Sequence, residues 1–266
     1  MTDVITSAAN PRIKRIKGLD LKKHRNESGQ FLAEGVKIVL DALERGWKPA
    51  ALVYAHDSAE DPLIAKAIQL ARAQDAELLP VSDGALKKLS HRDNPQSLLG
   101  VFYQRWAGVE AIKMLKGLWV GLDRVRDPGN LGTIIRTVDA VGAKGVVLIG
   151  DCTDPYAQEA VRAAMGSTFA VKLARATEDE FMTWADLWDG QIVGTHLKAT
   201  QDYRAIDWQD QCLILMGNEQ AGLTPRLGTS CHDLVKIPMR GGADSLNLAV
   251  STGIVLYQAG NALAGA

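Results

Sequence analysis

The stretch that decides the fold is LWVGLDRVRDPGNLGTIIRTVDAVGAKGVVLIG, residues 118–150. It begins with an apolar run typical of a buried strand, passes through the polar turn 127–130, and ends with a second apolar run. Between them lies a predicted helix whose apolar stripe consists of Leu131, Ile134, Ile135 and Val138. A strand–helix–strand order predicts parallel strands with helices on both faces of the sheet.

The same alternation of strands and helices extends along the rest of the chain. Further helices are predicted around residues 36–46, 61–74, 157–166 and 246–266, and further strands at 51–55, 97–103, 191–197 and 212–217. The strand-like pattern gives way to a short mixed segment near residues 105–117. We therefore predict an α/β protein with a smaller N-terminal domain at 1–104, a linker at 105–117 and a C-terminal domain at 118–266.

Composition excludes several classes of protein. The 266 residues include 47% hydrophobic and 23% charged residues, which is ordinary for a globular chain and argues against a disordered or coiled-coil protein. With 30 Lys and Arg against 31 Asp and Glu, the net charge is -1, so any nucleic-acid binding must use a local patch. The predicted C-terminal helix is interrupted by polar residues and glycines, which indicates burial in protein and no membrane span.

Cysteine and histidine positions predict neither a disulfide framework nor a metal site. Three widely spaced cysteines form no CxxC pair, and five histidines form no ligand pair. The N-terminus lacks the apolar segment of a secretory signal. These features favour a reduced, cytoplasmic protein.

The first 25 residues form a local basic patch. They carry seven Lys and Arg residues against two Asp residues, which gives a local charge of about +5. Such a patch can bind phosphates through release of their counterions. On its own it is equally compatible with a solvated amphipathic helix.

Three motifs contain the candidate functional residues, and each has a plain structural explanation when taken alone. Asn130 can cap a helix, and Arg136 can be an exposed helical arginine. Glu219, after the strand LILMG, can cap the helix that begins near Thr224. Ser245 is expected to open the last helix. GxGxxG, the P-loop and the GxSxG elbow are all absent, so no common nucleotide or hydrolase motif applies.

Taken together, the motifs resemble the three signature motifs of the TrmH/SpoU family of RNA 2'-O-ribose methyltransferases, within the SPOUT superfamily. The first motif is Asp127-Pro-Gly-Asn130-Leu-Gly132 with Arg136, and the second is Met216-Gly217-Asn218-Glu219 with Gly222. The third is Ile237-Pro238-Met239 with Ser245-Leu246-Asn247. The N-terminal region is similar to the L30e-like substrate-binding domain of many members, through Ser7, Asn10, Pro11, Lys14, Arg25, Phe31, Glu34 and Gly35.

The resemblance implies a C-terminal SPOUT α/β domain with a trefoil knot, an N-terminal L30e-like domain, and S-adenosylmethionine bound in the knot. The residues implied to bind this cofactor are Thr195, Gly217, Ile237 and Leu246. It also implies a homodimer whose sites draw on both subunits. No metal is implied.

The implied reaction is in-line transfer of the sulfonium methyl group to a ribose 2'-hydroxyl of RNA, with ribosomal RNA favoured over tRNA. Arg136 corresponds to the family's essential arginine. Because a guanidinium does not normally lose its proton, we interpret Arg136 as a group that positions phosphate and hydroxyl and favours the alkoxide electrostatically. Asn130, Glu219, Ser245 and Asn247 would orient the ribose, Arg136 and the cofactor loops. Residues expected to contact RNA are Arg12, Lys14, Arg15, Lys22 and Arg25.

Four other functions stay open at this point. They are a tRNA 2'-O-methyltransferase, a non-catalytic RNA-binding protein on the same fold, a SPOUT enzyme that methylates a base, and a nicotinamide oxidoreductase. The missing glycine fingerprint makes the oxidoreductase the weakest of the four.

Overall fold

The structure is a computed structural model that describes residues 4–90, 92–108, 110, 112 and 116–264. The chain divides into two compact units. The first unit comprises Met1–Gln104 together with Asp154–Phe169, and the second comprises Arg105–Thr153 together with Ala170–Ala266. The first unit thus contains a segment from the middle of the predicted C-terminal domain.

Nine elements come from the first 104 residues. In chain order they are α1 (Pro11–Gly18), α2 (Lys22–Ser28), β1 (Gln30–Glu34), α3 (Val36–Glu44), β2 (Pro49–Ala55), α4 (Pro62–Arg72), β3 (Glu77–Val81), α5 (Asp83–Leu89) and β4 (Leu98–Tyr103). A 3-10 turn at His56–Ser58 follows β2. The four strands form one sheet in the order β1-β4-β2-β3, in which β2 and β3 are parallel and the other two pairs are antiparallel.

The remaining elements alternate strands with helices, as the sequence predicts, except for one run of three successive strands. They are β5 (Leu118–Asp123), α6 (Pro128–Val141), β6 (Gly145–Ile149), α7 (Gln158–Ala163), β7 (Lys172–Ala176), α8 (Glu178–Ala185), β8 (Gln191–Thr195), β9 (Gln201–Asp202), β10 (Cys212–Met216), α9 (Pro225–Thr229), β11 (Asp233–Lys236) and α10 (Leu248–Ala264). All seven strands are parallel and lie in the order β7-β6-β5-β10-β8-β11-β9. Two 3-10 turns lie at Ser167–Phe169 and Tyr203–Ala205.

Several elements differ from the sequence-based expectation. Strands β1, β3, β7 and β9 are not predicted from the sequence, because each is short and the first three lie beside a strong helical pattern. Ser245 does not open the last helix, which begins at Leu248. The side-chain oxygen of Asn247 accepts hydrogen bonds from the backbone N–H groups of Ala249 and Val250, so Asn247 caps this helix.

The segment Asp154–Phe169 completes the core of the first unit. The Tyr156 ring packs 4.6 Å from the Phe31 ring, and the indole N–H of Trp47 donates to the Phe169 carbonyl at 2.9 Å. Arg25 is only 4% exposed and pairs with Asp154. In the chain this segment lies between β6 and β7, two strands of the seven-stranded sheet. Sequence order alone therefore does not predict that it packs in the core of the first unit.

Helix α6 has clear signals at both ends. The Asp127 carboxylate accepts from the Asn130 N–H at 2.6 Å, Pro128 stands at the first helical position, and Gly142 ends the helix with φ 76°. Helix α10 packs closely on it, since a Cβ at Gly260 would lie only 2.7 Å from Val141. In the described part of the chain, no helix has the length and apolar character needed to span a membrane.

Candidate active site

The candidate site lies where the central strands of the second unit end. Strands β5, β10, β8 and β11 are parallel neighbours in the sheet, so their carboxyl ends meet at one edge. All three motifs follow these strands in the sequence, because they come after β5, β10 and β11 respectively. Ligands of open α/β sheets bind at such edges.

A hydrogen-bonded chain of three side chains joins the three motifs. The side-chain amide of Asn247 donates to Oδ1 of Asn130 at 2.9 Å, and the Asn130 amide donates to Oε1 of Glu219 at 3.3 Å. Asn247 and Glu219 are exposed and Asn130 is half-buried, so a ligand can reach these groups. The structure thus brings together three of the five residues expected to act in catalysis.

Local folding holds two members of this chain in place. Asn130 lies in the first turn of α6, where its backbone N–H is bound to the capping Asp127. Asn247 caps α10 with its Oδ1, which leaves its amide free to donate to Asn130. Both side chains are therefore fixed by the starts of two helices that pack on each other.

Glu219 lies in a tight loop after β10, residues 217–222, which we call the 217–222 loop. Asn218 and Gly222 exchange two backbone hydrogen bonds of 3.1 and 2.9 Å, and Gly222 has φ 67°. Gly217 must be glycine here, because a Cβ would overlap the backbone of Gly222 and Leu223. Oδ1 of Asn218 accepts from the N–H groups of Gln220 and Ala221 at 3.0 Å each.

Asp123 and Arg124, at the end of β5, contact the same loop. Asp123 is 2% exposed and binds the Arg124 guanidinium through both carboxylate oxygens, at 2.8 and 2.9 Å. This hydrogen bonding raises the pKa of Arg124. Arg124 has φ 50°, a left-handed conformation that costs a non-glycine residue about 1–2 kcal/mol.

The residues expected to bind the cofactor lie at the same edge of the sheet. Thr195 ends β8, and its hydroxyl donates to the Leu215 carbonyl at 3.3 Å. Ile237 follows β11 and is half-buried, and Leu246 precedes α10 and is 37% exposed. Together with Gly217, they offer backbone groups and partly open apolar surface, which fits an adenosine and methionine moiety better than a highly charged ligand.

Arg136 and Ser245 are not part of the hydrogen-bonded chain. Arg136 is exposed on α6, six residues after Asn130, which is about 9 Å along the helix axis. Among the residues that the structure describes, none forms a hydrogen bond or ion pair with its guanidinium. Ser245 is exposed in the segment before α10. Both side chains are available to a ligand or to a second subunit.

The basic N-terminal patch is only partly free. Lys14 and Lys22 are exposed, whereas Arg12 and Arg15 are exposed but both pair with Glu77, at 2.8 and 2.6 Å. These four residues lie on or beside α1 and the start of α2.

Arg25 does not belong to the RNA-binding surface expected from the sequence, because its side chain is buried. Its guanidinium is buried, donates to Asp154 at 2.8 Å, and also donates to the carbonyls of Leu19 and Asp20 at 2.7 and 2.8 Å. A guanidinium whose donors are used inside the protein cannot reach RNA. The sequence pattern could not separate this buried arginine from its exposed neighbours, because its partner lies 129 positions away.

Three residues that contact the site were missed by sequence reasoning. Asp123, Arg124 and Asn218 hold the turn after β5 against the 217–222 loop. Asn218 lies within a motif that was singled out, so its position was available as a signal. The left-handed conformation of Arg124 has no signature in a single sequence, because an arginine does not indicate such a backbone.

Comparison with known proteins identifies the family. The SpoU rRNA Methylase family matches residues 117–257, more than half of the chain. The chain belongs to this family. The MRM3-like substrate binding domain matches residues 10–100. The family predicted from the three motifs, the N-terminal substrate-binding domain and the α/β fold of both parts are therefore confirmed.

Similar proteins cover nearly the whole chain. The 23S rRNA (uridine(2479)-2'-O)-methyltransferase of Streptomyces viridochromogenes is 32% identical over 90% of this chain and 85% of its own length. The 23S rRNA (guanosine(2553)-2'-O)-methyltransferase RlmP of Bacillus subtilis is 28% identical over 95% of this chain and 97% of its own length. A crystal structure of an AdoMet-bound rRNA methyltransferase from Sinorhizobium meliloti has 46% identity and a TM-score of 0.91, and 97% of each chain is covered.

These comparisons confirm the predicted activity and cofactor. The chain is an RNA ribose 2'-O-methyltransferase that uses S-adenosylmethionine. The oxidoreductase, base-methylating and non-catalytic alternatives are set aside on this ground.

Proposed function

We propose that this SpoU-family enzyme methylates a ribose 2'-hydroxyl of large-subunit ribosomal RNA. Two similar enzymes, which align with this chain over most of their own length, act on 23S rRNA. The observation that carries the assignment of the site is the hydrogen-bonded chain from Asn247 through Asn130 to Glu219, which unites the three motifs at one sheet edge.

The three linked side chains would fix the geometry around the target ribose. A ribose hydroxyl both donates and accepts hydrogen bonds, and the linked amide and carboxylate groups offer both kinds of partner. Because two of these side chains are exposed and Asn130 is half-buried, a substrate can reach them and replace their contacts with one another. Holding the 2'-oxygen in line is the main requirement, since the methyl group of bound S-adenosylmethionine is already activated by its sulfonium charge.

The cofactor would be held by Thr195, Gly217, Ile237 and Leu246. Ser245, exposed next to Leu246, would orient the third motif or the ribose. Arg136 would bind a phosphate of the substrate and stabilise negative charge on the 2'-oxygen as its proton passes to solvent water. Lys14 and Lys22 would hold folded RNA through its phosphates, and Arg12 and Arg15 would join them once Glu77 is displaced.

We also propose a homodimer in which Arg136 of one subunit serves the site of its partner. Arg136 is exposed, and helix α10 exposes Val250 and Tyr257 at 52% and 48%. Exposed apolar side chains on a helix that is largely apolar are typical of an interface between subunits. The trefoil knot, the cytoplasmic location and the domain boundaries at residues 104 and 117 stay predictions.

The reaction and the substrate class can be tested together. The full chain is incubated with tritiated S-adenosylmethionine and separate pools of undermethylated ribosomal RNA and tRNA, and the products are digested for nucleoside mass spectrometry. We expect label in a 2'-O-methyl nucleoside of the ribosomal pool. Label confined to tRNA would reject the ribosomal assignment, and label on a base would reject the ribose assignment.

The dimer proposal is tested by mixing two inactive variants, Arg136→Ala and Glu219→Gln. If each site combines Arg136 of one subunit with Glu219 of the other, random subunit exchange restores about one quarter of the wild-type sites. If both residues act within one subunit, the mixture stays inactive. Cofactor binding by Arg136→Ala should be nearly unchanged, which separates loss of catalysis from loss of folding.

A further inference from the structure

Arg124 touches both ends of the 217–222 loop from the turn after β5. Its carbonyl accepts from the Asn218 amide at 2.9 Å, and its guanidinium donates to the Gly222 carbonyl at 3.4 Å. We propose that Arg124 is a positioning residue that holds this loop in the shape that binds S-adenosylmethionine. The inference rests on the proposed placement of the cofactor at this loop.

The side chain of Arg124 is itself held rigidly. Both oxygens of the buried Asp123 carboxylate bind the guanidinium, so its plane and its remaining donors have fixed directions. Asp123 also accepts from the Thr224 N–H at 3.2 Å. The acid and the arginine together therefore hold the segment from residue 218 to residue 224 at three points.

The backbone of Arg124 supports the same interpretation. Its φ of 50° is unfavourable for a residue with a side chain, so contacts nearby must compensate for the strain. Strained residues of this kind concentrate at functional sites. The hydrogen bond from Asn218 to the carbonyl is one such contact, and it joins the strained turn to the loop.

The internal hydrogen bonds of the 217–222 loop fix its own turn, and the contacts of Arg124 fix that turn relative to the end of β5. Glu219, Gln220 and Ala221 are exposed, and the internal bonds of the loop all involve Asn218 and its partners. Without the guanidinium, the Gly222 carbonyl would lose its hydrogen bond to the turn after β5, and only the contact of Asp123 with Thr224 would remain at this end. The position of Glu219 relative to Asn130 would then vary as well.

The test compares variants that separate the backbone from the side chain. Arg124→Gly accepts the left-handed backbone but removes the guanidinium, and Arg124→Lys keeps the charge without the planar fork. The control is Arg126→Ala, because Arg126 lies in the same turn but pairs with the exposed Asp151 at 2.7 Å. Calorimetry measures the Kd for S-adenosylmethionine, and methyl transfer measures kcat and the KM for RNA.

For Arg124→Gly we expect the Kd for S-adenosylmethionine to rise about tenfold, as for loss of a charge-assisted hydrogen bond. The KM for RNA should stay close to that of Arg126→Ala, whereas the melting temperature should fall, because the buried Asp123 carboxylate loses its charged partner. Millimolar guanidinium should restore part of the affinity, and Arg124→Lys should lie between glycine and wild type.

Two results would overturn the inference. One is an unchanged Kd in Arg124→Gly, and the other is an equal loss of cofactor affinity and RNA affinity that guanidinium does not restore. Failure of the proposed function is distinct, because it would appear as absent cofactor binding or methyl transfer in the wild-type protein.

Discussion

The side-chain amide of Asn247 donates to Oδ1 of Asn130 at 2.9 Å, although the two residues are 117 positions apart. Asn130 also contacts Glu219, because its own side-chain amide donates to the Glu219 carboxylate at 3.3 Å. Among the described residues, Asn130 is therefore the only side chain that connects Asn247 to Glu219 by hydrogen bonds. An asparagine suits this position because its side chain supplies both an oxygen acceptor and an NH2 donor.

Replacing Asn130 by aspartate should separate these two uses. Asn130→Asp keeps the acceptor for Asn247 but removes the donor to Glu219 and places two carboxylates side by side. We expect the activation free energy to rise by about 2–3 kcal/mol, so that kcat falls roughly 30- to 150-fold, with little change in the Kd for the cofactor. Single-turnover methyl transfer measures the rate. Asn94→Asp, on the exposed surface, is the matched control, and equal activity of the two variants would contradict the role of the chain.

Glu77 should weaken RNA binding by competing with phosphate for Arg12 and Arg15. Glu77→Gln frees both guanidinium groups, so affinity for RNA should increase. The plot of log affinity against log salt should steepen by up to about 0.7–0.9 for each phosphate newly bound. Filter binding over a salt series measures both quantities. Glu44→Gln, which breaks a similar exposed pair with Lys66, should change neither, and a matching effect there would remove the argument.

Removing the partner of the buried Arg25 should destabilise the first unit strongly. Asp154→Asn leaves an unpaired buried charge, which costs about 3–5 kcal/mol of unfolding free energy. Urea denaturation gives the stability, and hydrogen exchange of peptides covering α2 and α7 localises the loss. Asp151→Asn breaks an exposed pair with Arg126 and should have little effect. Similar stability of the two variants would show that the buried pair is replaceable.

Cys152 and Cys212 should be unreactive until the protein unfolds, because both are buried. Burial raises the pKa of Cys152 to about 11 and that of Cys212 to about 12, from 9.0. At pH 8, alkylation followed by mass spectrometry should label these two residues only in urea, since the thiolate is the reactive form. The folded state holds these two thiol protons more tightly than the unfolded state does. Their contribution to the free energy of unfolding is therefore fully present below pH 9 and is lost as the pH rises toward 11–12. Rapid labelling of Cys152 in the native protein would contradict the stated burial.

Much of the second unit is readable from its sequence. Strands such as Cys212–Met216 are short apolar runs bounded by turn residues, and α6 has its capping Asp127, its Pro128 and its terminal Gly142. Local signals of this kind fix where elements begin and end. The three motifs also stand in the sequence, so the candidate site and its family could be predicted before any coordinates existed.

What the sequence does not reveal depends on distant contacts. Arg25 resembles its exposed basic neighbours until Asp154 is placed beside it. Residues 31–34 precede a strong helical pattern, and only pairing with β4 makes them a strand. The Arg124 contacts join turns almost a hundred positions apart. In each case the contacting residue lies far away in the sequence, so the local propensity of the segment does not predict the contact.

The inclusion of Asp154–Phe169 in the first unit limits how the gene can be divided. A fragment ending at residue 104 would lack the Asp154 carboxylate and the aromatic rings of Tyr156 and Phe169, so its core would be open and Arg25 would be left without a counterion. The two parts are consequently not interchangeable modules. A substrate-binding part taken from another member of the family would have to bring its own version of the 154–169 segment, so recombination at a single crossover point would yield unstable chimaeras.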